Sequence, residues 1–160
     1  MTKLTDHIHH EHATLRPHVE LIRVAADAVG EVPINVLRDL TNTVLGFLVR
    51  ELIPHARNER DILYKAVERV THDPGSTSTM NREHLEVSKM ADQLGDLHAL
   101  TVAESDLSDK TIRDLRRVLY GLYALVTLHF AKEEEIYAEL LERELSSAEQ
   151  DVLLTTLSRH

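Results

Sequence analysis

Residues 115–140 read LRRVLYGLYALVTLHFAKEEEIYAEL. Leu115, Leu119, Leu122, Val126, His129, Glu133, Ile136 and Leu140 step by three and four, the period of a helix with one buried face. Two members of that line are polar, His129 and Glu133. Residues 44–66, VLGFLVRELIPHARNERDILYKA, are built the same way, with His55 and Glu59 interrupting a stripe through Val44, Leu48, Leu52, Ile62 and Ala66. Both interruptions are HxxxE: His55-Ala-Arg-Asn-Glu59 and His129-Phe-Ala-Lys-Glu133. Residues four apart lie about 40° apart around a helix and roughly 6 Å along it, so each motif aims an imidazole and a carboxylate into one space.

The same period continues outward. Leu4, Ile8, Leu15, Val19, Ile22, Ala26 and Val29 predict a first helix that stops at Gly30. Gly30-Glu31-Val32-Pro33 is a short connection, with Pro33 expected as the first residue of the second helix. Thr71 to Thr79 reads as a loop, Met80 to Ala103 as a third helix, and Ser105 to Ser108 as a turn with Ser108 as N-cap of the fourth. Ser146 and Ser147 open a short fifth helix. The expected fold is all-α: an up-down-up-down four-helix bundle over residues 1–145, with residues 146–160 packed on it or extending it.

Composition narrows the chemistry. At 160 residues the chain has the size of one domain, and 42% apolar residues suffice for a core. Zero Cys excludes disulfides, thiolate metal sites and thiol nucleophiles. The five Gly are too dispersed for a phosphate-cradling loop. A formal charge of −9, with two Phe and no Trp, argues against nucleic acid as a partner. The longest apolar run, Val118 to Val126, is too short to span a bilayer, so no membrane is expected. The opening MTKLTDHIHHEH lacks the apolar core of an export signal, and a cytoplasmic protein is expected.

Histidine is abundant, at eleven residues. His12 lies on the apolar line of Ile8, Leu15 and Val19, and His84 on that of Val87, Ala91 and Leu94. Antiparallel helices bring together residues equidistant from their shared turn. From Val32, His12 is 20 residues back and His55 is 23 forward; from Leu107, His84 is 23 back and His129 is 22 forward. The mismatches amount to roughly 4.5 Å and 1.5 Å. His18, only 14 residues back, misses by roughly 13 Å. A bare buried carboxylate is costly, and two HxxxE motifs joined by two depth-matched histidines make a metal site the economical reading. His7, His9, His10, His72, His98 and His160 are expected in solvent, with His9 and His10 as substitutes for His12. Glu51 is expected outside the ligand set, and Glu134 and Glu135 on the solvated side of the fourth helix.

From Glu11-His12 through His55-xxx-Glu59 and Glu83-His84 to His129-xxx-Glu133-Glu134, nearly the whole chain resembles the hemerythrin-like (HHE cation-binding) family. The resemblance implies two oxo- or hydroxo-bridged Fe ions inside the bundle. It makes Glu59 and Glu133 the bridging carboxylates and His12, His55, His84 and His129 terminal ligands. The family's oxygen carriers end the last motif in Asp after a longer spacing and carry HxxxH on the third helix. Here Met80 stands four residues before His84 and Ser88 four after it, so one histidine is missing. Of about twelve positions on two octahedral irons, about two are left for water, Met80, Tyr64, His9 or His10. Pro54, directly before His55, removes a donor and is expected to kink the helix.

The implied function is to bind or react with O2 or reactive oxygen or nitrogen species, with O2, peroxide or NO as the small-molecule ligand. An enzyme consuming peroxide and a metal-poor helical interaction module are the alternatives. The sequence leaves binding versus turnover, and the oligomeric state, open.

Overall fold

The computed structural model describes residues 3–158, and every regular element among them is helical. Helix α1 (Lys3–Ala28) ends before Gly30, whose φ of +79° a side chain adopts only with strain. Helix α2 runs over 34–71 and stops where His72 turns left-handed. It begins at Ile34, one residue after Pro33, whose carbonyl accepts the Leu37 N–H. Helix α3 (Ser78–Ala103) begins two residues before Met80, because the Thr77 carbonyl already accepts the Asn81 N–H while its buried hydroxyl donates to Glu68. Helix α4 covers 109–144, capped by Ser108, whose hydroxyl accepts the Thr111 N–H. Helix α5 (Ser147–Leu157) opens with a reciprocal box in which Ser146 and Glu149 each accept the other's backbone N–H.

Helices α1 and α3 each pack against both α2 and α4, which closes an all-α four-helix bundle. Helix α5 lies across α1 and α2 at residues 59–63. None of these helices is long and apolar enough to cross a membrane.

The long helices α2 and α4 are not purely α. Three π-helical turns interrupt them: Leu48–Leu52, Glu59–Leu63 and Glu133–Tyr137. The first immediately precedes Pro54, and the Ile53 N–H bonds back to the Leu48 carbonyl. The missing Pro54 donor is absorbed as a change of register. The other two turns each begin on a carboxylate of an HxxxE motif. Each adds one residue to a turn, and this overturns part of the expected core. After Glu133 the next buried residues are Ala138 and Leu141, while Ile136 is 55% exposed. After Glu59 the fully buried residues are Leu63, Tyr64 and Val67, with Ile62 only partly covered.

The core is therefore two clusters with a polar layer between them. On every long helix the layer divides one from the other: Ile8/His12/Leu15, Leu52/His55–Glu59/Leu63, Met80/His84/Val87 and Phe130/Glu133/Ala138.

Candidate metal centre

That layer holds His12, Glu59, His129 and Glu133 buried, and His55 and His84 at 14% and 13% side-chain exposure. The six side chains face one another in two groups. His12 Nε2 and His55 Nε2 lie 3.5 and 2.8 Å from Glu59 Oε1. His84 Nε2 lies 3.5 Å from Glu59 Oε2, and His129 Nε2 lies 3.2 Å from Glu133 Oε1. The other oxygen, Glu133 Oε2, is 3.4 Å from His12 Nε2. Each carboxylate thus offers one oxygen to each histidine pair.

An octahedral ion with bonds of about 2.1 Å places neighbouring donors about 3 Å apart. The donor separations here, 2.8 Å for His84 Nε2–His129 Nε2 and up to 3.5 Å elsewhere, match that spacing. His12 Nε2, His55 Nε2 and Glu133 Oε2 are buried without a hydrogen-bond partner, as donors reserved for a cation would be. Imidazole and carboxylate together suit iron and its neighbours rather than a soft, thiolate-seeking ion.

Electrostatics agree. Burial by itself would lower His12, but the carboxylates of Glu133 and Glu59, 3.4 and 3.5 Å from Nε2, outweigh it and hold the ring at about 10. Burial likewise opposes charge on His55 and His129, and their carboxylate neighbours raise both above the ordinary value. Burial pushes Glu59 up, yet His55, His12 and His84 hold it well below the carboxylate range. In the metal-free chain a proton on His12 offsets the buried carboxylates, and a bound cation would take its place.

Outside the six stand two carboxylates that sequence reading did not assign. Glu134 Oε1 lies 2.9 Å from His12 Nδ1 and accepts from Arg16 at 2.7 Å. Glu83 Oε2 lies 2.8 Å from His129 Nδ1, and its other oxygen accepts from Lys132. Both rings are thus gripped from behind by a carboxylate that is itself tied to a cation. Glu134 is not on the solvated side of α4: one residue past Glu133 the π turn rotates by about 80°, and Glu134 reaches His12 and Arg16 on α1. The signal available in the sequence was adjacency, since Glu83 and Glu134 each directly neighbour a core-facing residue.

Tyr64 completes the layer. Its hydroxyl donates to Glu133 Oε1 at 2.5 Å and lies 3.2 and 3.1 Å from the Nε2 atoms of His84 and His129. Burial first, then the charges of Glu133 and Glu59, push this phenol far up, so it stays protonated. Met80 instead packs in the apolar cluster with Tyr64 and Ala138. The remaining histidines lie outside the two groups. His18 stacks on Phe47 and stands 3.8 Å from exposed Glu51, His7 pairs with Glu11, and His9 reaches Glu134 only at 3.9 Å. His10 and His72 are exposed. His98, expected in solvent, is half-buried and bonds Thr41 at 2.7 Å. His160 is outside the described residues.

A family model described as the Hemerythrin HHE cation binding domain matches residues 3–141. Comparisons with curated proteins and with solved structures give no match.

Proposed function

The chain belongs to the hemerythrin HHE cation-binding family, and on that premise we propose that it is a non-haem diiron protein that binds or reacts with O2, peroxide or NO. One observation carries the reading: Glu59 and Glu133 each present one oxygen to the His12/His55 side and one to the His84/His129 side. Two ions spanned by two carboxylates need that arrangement, and a single ion does not. His12 and His55 would hold one iron and His84 and His129 the other, while Glu134 and Glu83 orient the His12 and His129 rings. When bound, the irons supply redox chemistry toward small oxygen and nitrogen species. His55 and His84, the least covered of the six, border a cavity between α2 and α3 that admits such a molecule.

Iron quantification after anaerobic loading tests this, with two per chain expected. Glu59→Ala should lose both ions, and His84→Ala should retain more than Glu59→Ala. One iron per chain, or equal loss in both variants, contradicts the bridged pair. Peroxide consumption is favoured over reversible O2 uptake by Tyr64, whose O–H stays protonated among the donor atoms and is placed to hydrogen-bond a peroxide oxygen there. Oxygen evolution on adding peroxide, slowed in Tyr64→Phe, is expected. Reversible uptake of O2 with no turnover would assign a carrier or sensor.

A further inference from the structure

The cavity beside His55 and His84 has a volume of about 490 Å³. A water molecule's share of liquid volume is about 30 Å³, so O2, peroxide or NO would fill only a small fraction of that space. Leu52, Ile53, Val87, Val126 and Phe130 give it an apolar wall beside His55, Glu59, His84 and His129, and Leu85, 63% exposed, adds apolar surface on α3. The α2 side carries Arg57, Arg60 and Lys65, with Asp61 among them. Arg60 is tied to Asp61 at 2.9 Å and Lys65 to Glu68 at 2.8 Å. Arg57 is exposed and makes no contact ion pair or hydrogen bond among the described residues, although its charge acts on nearby Asp61. Of these three cations Arg57 alone lacks a contact ion pair, and on a chain of net charge −9 its guanidinium is a local attractor for anions.

We infer that this cavity binds an organic monoanion with an apolar body: a carboxylate of about eight to twelve non-hydrogen atoms. Its head lies at Arg57, and its body runs along Leu52, Ile53 and Val87 toward His55 and His84. The inference builds on the diiron reading by naming the class of molecule that reaches the centre. It concerns binding alone, so it can be tested with and without metal.

The test is calorimetric titration of the full-length protein, metal-free and iron-loaded, with octanoate, octanol and acetate. Metal content is measured in every sample. Octanoate is expected to bind both forms about fivefold more tightly than octanol, the range of one exposed charge pair. Acetate is expected to give no binding at the same concentrations. Arg57→Glu, on an exposed helix face, should erase the preference for octanoate over octanol. Equal binding of octanoate and acetate would mean simple coordination at the ions, and equal binding of octanoate and octanol would mean no anion site; either overturns the proposal, as does absence of octanoate binding. Octanoate binding in a chain that takes up no iron would overturn the diiron reading instead and leave this one standing.

Discussion

Glu134 is the residue whose role is most exposed to test. By accepting from His12 Nδ1 it makes Nε2 the free nitrogen of that ring and holds it toward Glu59 and Glu133. Glu134→Ala should weaken metal affinity about 10–100-fold in chelator competition, with Glu134→Gln recovering part of the loss through its amide oxygen. An unchanged affinity would remove Glu134 from the site. Protonation gives a second prediction at this scale. Folding raises His12 from 6.5 to about 10, so its contribution to the metal-free fold is complete below about pH 6.5 and is lost as the pH climbs through about 10. Denaturant melts of the metal-free chain should show stability falling over that window. Metal affinity should rise over the same window, because imidazoles shed their protons to ligate. Metal-free stability that increases with pH there would contradict a proton held on His12.

Among the elements, the π turns do the positioning. Residues five apart on an α-helix diverge by about 140°, but across a π turn they diverge by only about 50°. The turn at Glu59–Leu63 therefore lets Glu59 and Tyr64 face the same interior, and that at Glu133–Tyr137 does the same for Glu133 and Ala138. Deleting the exposed Asp61 removes the extra residue and rotates Tyr64, Ala66 and Val67 by about 100° out of register. The expected loss is about 3 kcal/mol or more of unfolding free energy. Asp61→Ala, which keeps the turn, should change stability by only about 0.5 kcal/mol. Equal effects of deletion and substitution in denaturant unfolding would show that the register does not matter.

On the scale of the whole molecule, a layer of buried charge separates two apolar clusters, so the bundle is weakest at its own centre until a cation binds. Binding to the native state alone stabilises it by about 2.7 kcal/mol at a hundredfold excess over Kd. For a chain of this size that corresponds to a rise in Tm of about 5–10 °C. Thermal melts before and after chelation should show this shift, and the Glu59→Ala chain should not respond to metal. A Tm indifferent to iron would favour the metal-poor interaction module.

The hydrophobic period alone determined that the chain is all-α, because buried faces recur every three or four residues whatever the partner, and the short connections made the long helices alternate in direction. It also singled out the six residues that the structure brings together, since a histidine or carboxylate on an apolar stripe is visible without knowing what it meets. The π turns were not legible: one inserted residue leaves the composition unchanged and only moves the stripe, and so Ile136 was placed inside and is outside. Glu134 and Glu83 were hidden for a different reason. They touch His12 and His129 across 122 and 46 residues of chain, and such contacts exist only once helices have a rotation and a depth relative to one another. Tyr64 was among the candidates for the open positions, but its contacts with Glu133, His84 and His129 depend on the register of a single turn. Periodicity acts within one helix, whereas the outer partners of the site depend on how four helices pack around a shared layer.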